Sequence, residues 1–426
     1  MAPLAVALLA LALVAGAPSV QVASQQSVFR STVDVIAVDV QVLDRTGLPV
    51  FDLRPDAFVV TLNGKSRRVV SAELVRHAAA DHVQRALPPA GPAATNQWPV
   101  SPATGRVFDL AIDTSSFDAS VWQRAAAAAR VFLTQLSAAD RVGLYAFPFG
   151  PAIPPTQDHA SVRRALDRLT GNASSLRTQF QLSPSEVIDI SAETARLGGS
   201  ATAVRRIGQT ALDPGADAPT IQRVQDRECP SDPNCSVRII LDATAAAQDY
   251  ESKLTQTVNG LRGMLDVLRE MPGRKTVVLL SAGLVVSDRV GGRPAAEDLA
   301  DSLGHALAQA NAVIYTVHVD RAAREGYSAT TRRMSTTTDS AREASMRARW
   351  LDEFSVASGG ALFAAQVDDG EVAFGRVFRE TGAYYLLGVE PVAADRDGRL
   401  REVEVKVRNL KDTTVRSRSW VIVPKK

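Results

Sequence analysis

Cysteine is scarce in this chain. The 426 residues hold two, Cys229 and Cys235, both in the stretch CPSDPNC. No second Cys or His pair lies beside them, which argues against a structural zinc site. Histidine is also rare, at five residues (His77, His82, His159, His305 and His318), and none falls in an HExxH array. There is no G-x-S-x-G elbow and no GxxxxGK[ST] loop, so neither common route to a nucleophile or a phosphate cradle is open. Charge of one sign is missing too: 48 basic residues face 46 acidic ones, for a net charge of +2. No whole-chain field draws the protein to nucleic acid. Long apolar runs are absent after the first residues, and nothing beyond them approaches the ~18 residues that a membrane span needs.

At the start, MAPLAVALLALALVAGAPSVQVAS contains the apolar run Leu4 to Val14, too short to span a bilayer and the right length for the core of a signal peptide. Residues 1–24 are therefore expected to be a leader, without a basic flank, removed after Ser24. The mature chain is expected to be exported, with no stable membrane insertion. In an exported chain, one close Cys pair in a Pro/Asp/Asn loop is expected to form a disulfide, Cys229–Cys235, that staples a loop and leaves no free thiol nucleophile.

At 426 residues the chain is too long for one ordinary core. Residues 28–78 alternate with period 2, with a phase slip in VDVIAVDVQVLD that suggests a β-bulge. FVVTLNGKSRRVV suggests a hairpin turning at Asn63-Gly64. Residues 79–105, rich in Ala and Pro, form a linker. From 106 to 370 strands and helices alternate: RVFDLAID, then a helix with Val121, Ala125, Ala128, Phe132 and Leu136 on one face, then DRVGLYAF. A long helix stopped by Pro272-Gly273, the strand RKTVVLLS and the strand VIYTVHVD follow. This order predicts a mostly parallel sheet covered by helices on both faces. Residues 171–236 show no regular pattern, and Arg324 to Trp350 suggests a long polar surface loop. Residues 380–423 return to β, with Val403, Val405 and Val407 on one face of RLREVEVKVRN.

The order of these segments resembles exported bacterial proteins with a VWFA-related domain, a divergent branch of the von Willebrand factor type A domains. The stretches that carry the likeness are VDVIAVDVQVLDRTGLPVFDLRPDAFVVTLNGK, FDLAIDTSS, MPGRKTVVLLSAGL, NAVIYTVHVD and ETGAYYLLGVEP. The resemblance implies an α/β, Rossmann-like domain with a central mostly parallel sheet. The β segments at the two ends are then expected to complete one small Ig-like β-sandwich, because neither has a second sheet without the other.

Type A domains hold Mg²⁺ at the carboxyl edge of the sheet through Asp-x-Ser-x-Ser, a Thr on a second loop and an Asp on a third. Carried over, Asp113 matches the Asp and Ser115 the first Ser. The second Ser falls on Phe117, and the third-loop Asp is replaced by Ser281-Ala282-Gly283. The Thr has no fixed counterpart, with Ser200 or Thr202 after Gly198-Gly199 as candidates, and Asp118 or Asp288 are the carboxylates that could reach in. Asp113 and Ser115 thus mark a degenerate metal site. One carboxylate among neutral oxygens suits Mg²⁺ poorly, so no cofactor is expected, and Asp113 is expected to cap the strand end and bond backbone N–H groups of the next loop. His318 and Asp320 also share the carboxyl edge, where ligands of open α/β sheets gather; a polar strand end at the surface is the plainer expectation. The function expected is a non-enzymatic, exported protein-binding or scaffold protein with an unidentified protein partner and no nucleic acid. The alternatives are Mg²⁺-dependent adhesion through substitute ligands, or a hydrolase that uses the sheet edge.

Overall fold

The computed structural model describes residues 35–77, 105–173, 178–196, 220–232, 234–295, 299–319, 337–365 and 370–425. The expected leader, the linker up to residue 104, Ser200, Thr202 and Asp320 lie outside them. Strands β1 (Ile36–Leu43), β2 (Phe58–Leu62) and β3 (Lys65–Arg76) come first. Then follow β4 (Val107–Asp113), α1 (Ala119–Gln135), β5 (Arg141–Phe147), β6 (Ala152–Thr156) and α2 (His159–Arg168). Three further helices, α3 (Pro184–Arg196), α4 (Thr220–Glu228) and α5 (Cys235–Arg269), lead to β7 (Lys275–Ser281), α6 (Leu299–Ala310) and β8 (Ala312–Val319). The chain continues as α7 (Thr337–Ala357), β9 (Ala361–Ala365), α8 (Gly370–Glu380), β10 (Ala383–Glu390), β11 (Leu400–Val407), β12 (Thr414–Ser417) and β13 (Trp420–Ile422).

Strands β4 to β9 form one sheet in the order β6-β5-β4-β7-β8-β9, parallel except for β6. Every residue of β4, β7 and β8 is buried, as expected of strands with neighbours on both sides and helices on both faces. Phe108, Leu110 and Ile112 point to one face, against Val121, Ala125, Phe132 and Phe374 of α1 and α8. The rings of Phe108 and Phe132 meet edge to face at 5.3 Å. Ala111, Val277, Leu279 and Ile314 point to the other face, against α5, α6 and α7. Helix α1 begins where Asp118 accepts hydrogen bonds from the N–H groups of Ser120 and Val121, an N-cap of the usual kind.

A second, smaller core lies to one side. Phe180, Val187, Ile190, Ile221, Val224, Ile239 and Ala243 join α3, α4 and the first half of α5. The sequence suggested no regular structure here, because α3 and α4 are short and polar on one side. The disulfide Cys229–Cys235 links the end of α4 to the start of α5. Closing so short a ring is worth about 2 kcal/mol on chain-entropy grounds. The Cys229→Ser/Cys235→Ser variant is therefore expected to lose about that much in urea unfolding, with α3 and α4 losing amide protection first; an unchanged midpoint would contradict this.

The remaining strands form a second, wholly antiparallel sheet, β12-β1-β10-β3-β2-β11-β13. N-terminal and C-terminal strands interleave: β10 lies between β1 and β3, and β11 beside β2. Asn63 and Gly64 turn the β2–β3 hairpin with φ of 46° and 73°, the left-handed pair that a two-residue hairpin needs. Only Arg418 and Ser419 separate β12 on one edge from β13 on the other, so the edges approach and the sheet must curl. The strands thus make one continuous curled sheet rather than two separately bonded sheets of a sandwich. The last β stretch, TTVRSRSWVIVP, divides between β12, paired to β1, and β13, paired to β11. The bulge expected in 33–42 does not lie inside β1, whose register with β10 runs unbroken from Ile36 to Val40. A register shift lies instead at Gly388/Val389, between β10 and β3.

Polar bonds join the two sheets. The Tyr315 hydroxyl donates to Gln41 Oε1 (2.5 Å), and Gln41 Nε2 donates to the carbonyl of Glu380 (3.0 Å). Arg418 donates to Asp39 and Asn311. The parallel sheet's amino edge thus faces the curled sheet, and its carboxyl edge faces away.

Candidate functional site at the carboxyl edge of the parallel sheet

In the strand order, β4 leads to β5 on one side and is bordered by β7 on the other. The crevice between the carboxyl ends of β4 and β7 is therefore the switch point at which open α/β sheets take ligands. Asp113 ends β4 and Ser281 ends β7, so the topology brings these two residues together there.

Asp113 is fully buried. The Ser115 hydroxyl donates to its Oδ1 (2.7 Å) and the Ser281 hydroxyl to its Oδ2 (3.0 Å). Backbone N–H groups of Ser115 and Ser116 also bond it. Burial outweighs these donors and pushes the carboxyl up to about 6. The neighbouring hydroxyls stitch the loops together. Ser116 Oγ donates to the Asp113 carbonyl (2.8 Å) and accepts from the Ala282 N–H (2.9 Å). Thr114 Oγ1 donates to the Phe147 carbonyl (2.9 Å), tying β4 to β5. The expected bonds from loop N–H groups to Asp113 are present, and Ser281, noted in the sequence only as a missing carboxylate, supplies a further donor.

Phe117, where the resemblance would put a second serine, is core: fully buried, with its ring 5.7 Å from that of Trp122. Its carbonyl and that of Thr114 accept from Ala173 and Asn172, so residues 171–173 cross directly over the loop.

Do these residues fit a magnesium ion? Mg²⁺ takes six oxygens in near-octahedral array at about 2.0–2.1 Å and keeps several waters. Here one buried carboxylate has both oxygens occupied by hydroxyl donors from Ser115 and Ser281. The other nearby carboxylates are engaged elsewhere. Asp118 caps α1. Asp288 binds Arg342 through both oxygens at 2.8 Å, which holds its carboxyl below the usual range. Neither substitutes for the missing ligand. Among the described residues no three His, Cys, Asp or Glu side chains gather in a group suited to a metal ion. The donor set does not fit Mg²⁺.

The crevice also has a roof that the sequence did not suggest. Residues 337–350, expected to belong to a loop, are part of α7, which buries Met346, Trp350, Leu351 and Phe354. The Arg347 carbonyl accepts from the Leu284 N–H at 3.1 Å. Glu343 accepts from the hydroxyl of Ser185 (2.8 Å), and Arg342 bridges Asp189 and Asp288. His318, at the end of β8 beside Ser281, is 3% exposed and so is no surface strand end. Gly283 makes this packing possible. Its φ is +98°, and a Cβ there would lie 2.6 Å from Arg347 Cβ and 2.9 Å from His318 Cε1. Gly283→Ala is therefore expected to cost about 2 kcal/mol in urea unfolding, with faster amide exchange in α7; unchanged exchange in α7 would contradict this roof.

One buried group went unnoticed in the sequence. Asp109 in β4 is buried, its Oδ1 has no hydrogen-bond partner among the described residues, and burial pushes its carboxyl up to about 7. The available signal was a lone carboxylate in a run, VFDLAI, that otherwise suggests burial on both faces.

No family model matches the chain, and no curated protein matches it. Among solved structures, one similar chain is a conserved hypothetical protein, BatB, from Bacteroides thetaiotaomicron, at 13% identity over 54% of this chain and 98% of that one, with a TM-score of 0.19. Another is the human COPII-coat protein Sec24c, at 8% identity over 76% of this chain and 44% of that one, with a TM-score of 0.27. Overlaps of this size carry no argument about function.

Proposed function

We propose that this chain is an exported, non-enzymatic binding or scaffold protein. Its parallel-sheet layer is a divergent VWFA-like domain, packed against the curled antiparallel sheet. It engages a protein partner without a metal ion. The observation that carries this reading is the internal bonding of Asp113: the group that would hold the ion is spent on Ser115 and Ser281. The apolar leader and the disulfide support export. Phe149, 79% exposed in the β5–β6 loop just past the carboxyl end of β5, offers an apolar contact for a partner.

The test is capture of partners from an envelope extract on the immobilised mature chain, in EDTA and in Mg²⁺, beside Phe149→Ala. The expected result is one specific partner, retained equally in EDTA and weakened at least tenfold by Phe149→Ala. A partner held only in Mg²⁺ would contradict the metal-free reading. A hydrolytic activity lost in His318→Ala would contradict the non-enzymatic one.

A further inference from the structure

At the opposite, amino edge of the parallel sheet, a cavity of about 280 Å³ opens between the two sheets. Its walls come from the first residues of β4, β5 and β7 and from Gln41, His77 and Tyr384 of the curled sheet. The lining is unusually cationic for an interior: Arg106, Arg141 and Arg274 all face it. Arg106 is neutralised, since its guanidinium forks onto both oxygens of Asp140. Arg274 is not. Its guanidinium lies 4.4 Å over the Tyr384 ring, and its Nη1 is buried with no hydrogen-bond partner among the described residues.

Two more cations lie behind Arg274. Lys275 is buried and donates to the Met271 carbonyl (2.7 Å). Arg418 donates to Asp39 (3.1 Å) and Asn311 (2.6 Å). Burial, and then mutual repulsion, lower both: Arg418 is opposed by Arg274, and Lys275 by Arg418. Asp39 is the carboxylate that attracts both Lys275 and Arg418. Positive charge held out of water is costly where no carboxylate bonds it directly, as at Arg274 Nη1. A group in the cavity that brings negative charge and acceptor oxygens to the Arg274 guanidinium would relieve that cost.

We propose that this cavity is a binding site for a small oxyanion, a phosphate or carboxylate group, with Arg274 as its principal ligand and Arg141 as a second cation at the wall. The planar guanidinium, held 4.4 Å over the Tyr384 ring, carries a fork that matches two oxygens of such a group. The cavity volume suits a phosphate or a short dicarboxylate rather than a nucleotide. The site is separate from the carboxyl edge and does not depend on the function proposed for it.

The experiment is thermal unfolding and isothermal titration of the full mature chain with inorganic phosphate and, separately, succinate, at constant ionic strength. The expected result is a saturable rise in Tm with at least one probe, and a dissociation constant weakened at least tenfold by Arg274→Gln. The probe that binds more tightly assigns the group as phosphate or carboxylate. Arg399→Gln, on the exposed loop before β11, is expected to bind as the parent does. If Arg274→Gln does not fold, Arg141→Gln carries the same test. No saturable binding of either probe, or binding unaltered in the variant that folds, would overturn the proposal.

Discussion

Asp109→Asn is expected to make the protein more stable at pH 8 by about 3 kcal/mol while leaving it within about 1 kcal/mol of the parent at pH 4. Asp109 lies in the middle of β4, between Gly143 of β5 and Val277 of β7, and burial raises its carboxyl from 3.8 to about 7. A group whose pKa is higher in the folded state binds its proton more tightly there. Its contribution to stability is full below the unfolded value and is lost as pH rises through the folded one. The window is therefore about pH 4 to 7. At about 1.4 kcal/mol per pH unit, the full loss is about 4 kcal/mol. Asparagine keeps the shape without the charge, but remains a buried polar group, which takes about 1 kcal/mol from the gain. Urea unfolding of both proteins from pH 4 to 8 checks this. Parallel curves would mean that Asp109 finds a partner or water when ionised.

The second large effect concerns Asp113→Ala, expected to cost about 3 kcal/mol at pH 5 and clearly less at pH 8. At pH 5 the parent's carboxyl is largely protonated, because burial holds it at about 6. Removing it leaves the Ser115 and Ser281 hydroxyls and two backbone N–H groups without their acceptor, at about 1–3 kcal/mol for each one left buried. As pH rises through about 6, the parent must bear a buried carboxylate and loses stability, so the gap between the two proteins narrows. Asp113→Asn is expected to fall between them at pH 5, since one oxygen still accepts. Unfolding midpoints at the two pH values measure this. A gap that widens with pH would mean that the ionised carboxylate is the favoured state, as it would be in a site built for a cation.

Local periodicity made much of this fold legible. The β4–α1–β5 unit follows from FDLAID and from the spacing of Val121, Ala125, Ala128 and Phe132, all buried as that spacing requires. The β2–β3 turn follows from Asn63-Gly64. Elements whose burial depends on distant partners were illegible. Helix α7 buries Met346, Trp350, Leu351 and Phe354 at helical spacing, yet charged and small polar residues between them make REASMRARW resemble a loop. Strand β6 carries Pro154 and Pro155, which are tolerated only because it is the edge strand. Strand β9 is a short Ala-rich run with no alternation, and it is defined by pairing with β8.

The candidate site divides in the same way. The resemblance pointed to Asp113 and Ser115, and to Ser281 where it would put a carboxylate. It does not show that Ser281 turns its hydroxyl onto Asp113, nor that α7 closes the crevice, because both depend on three-dimensional register. His318 is buried by the same closure. Phe117, where the resemblance would put a second serine, serves the α1 core, and a serine there would leave a cavity beside Trp122.

The most direct measurement is thermal unfolding of the mature chain in EDTA and in Mg²⁺, Mn²⁺ or Ca²⁺, beside Asp113→Ala. An ion that binds only the folded state adds about 2.7 kcal/mol at one hundred times its Kd, a rise that the unfolding curve resolves. The closed, self-bonded edge predicts no shift with any of the three ions. A saturable rise that disappears in Asp113→Ala would contradict it and would mean that Ser115 and Ser281 release Asp113 to a metal.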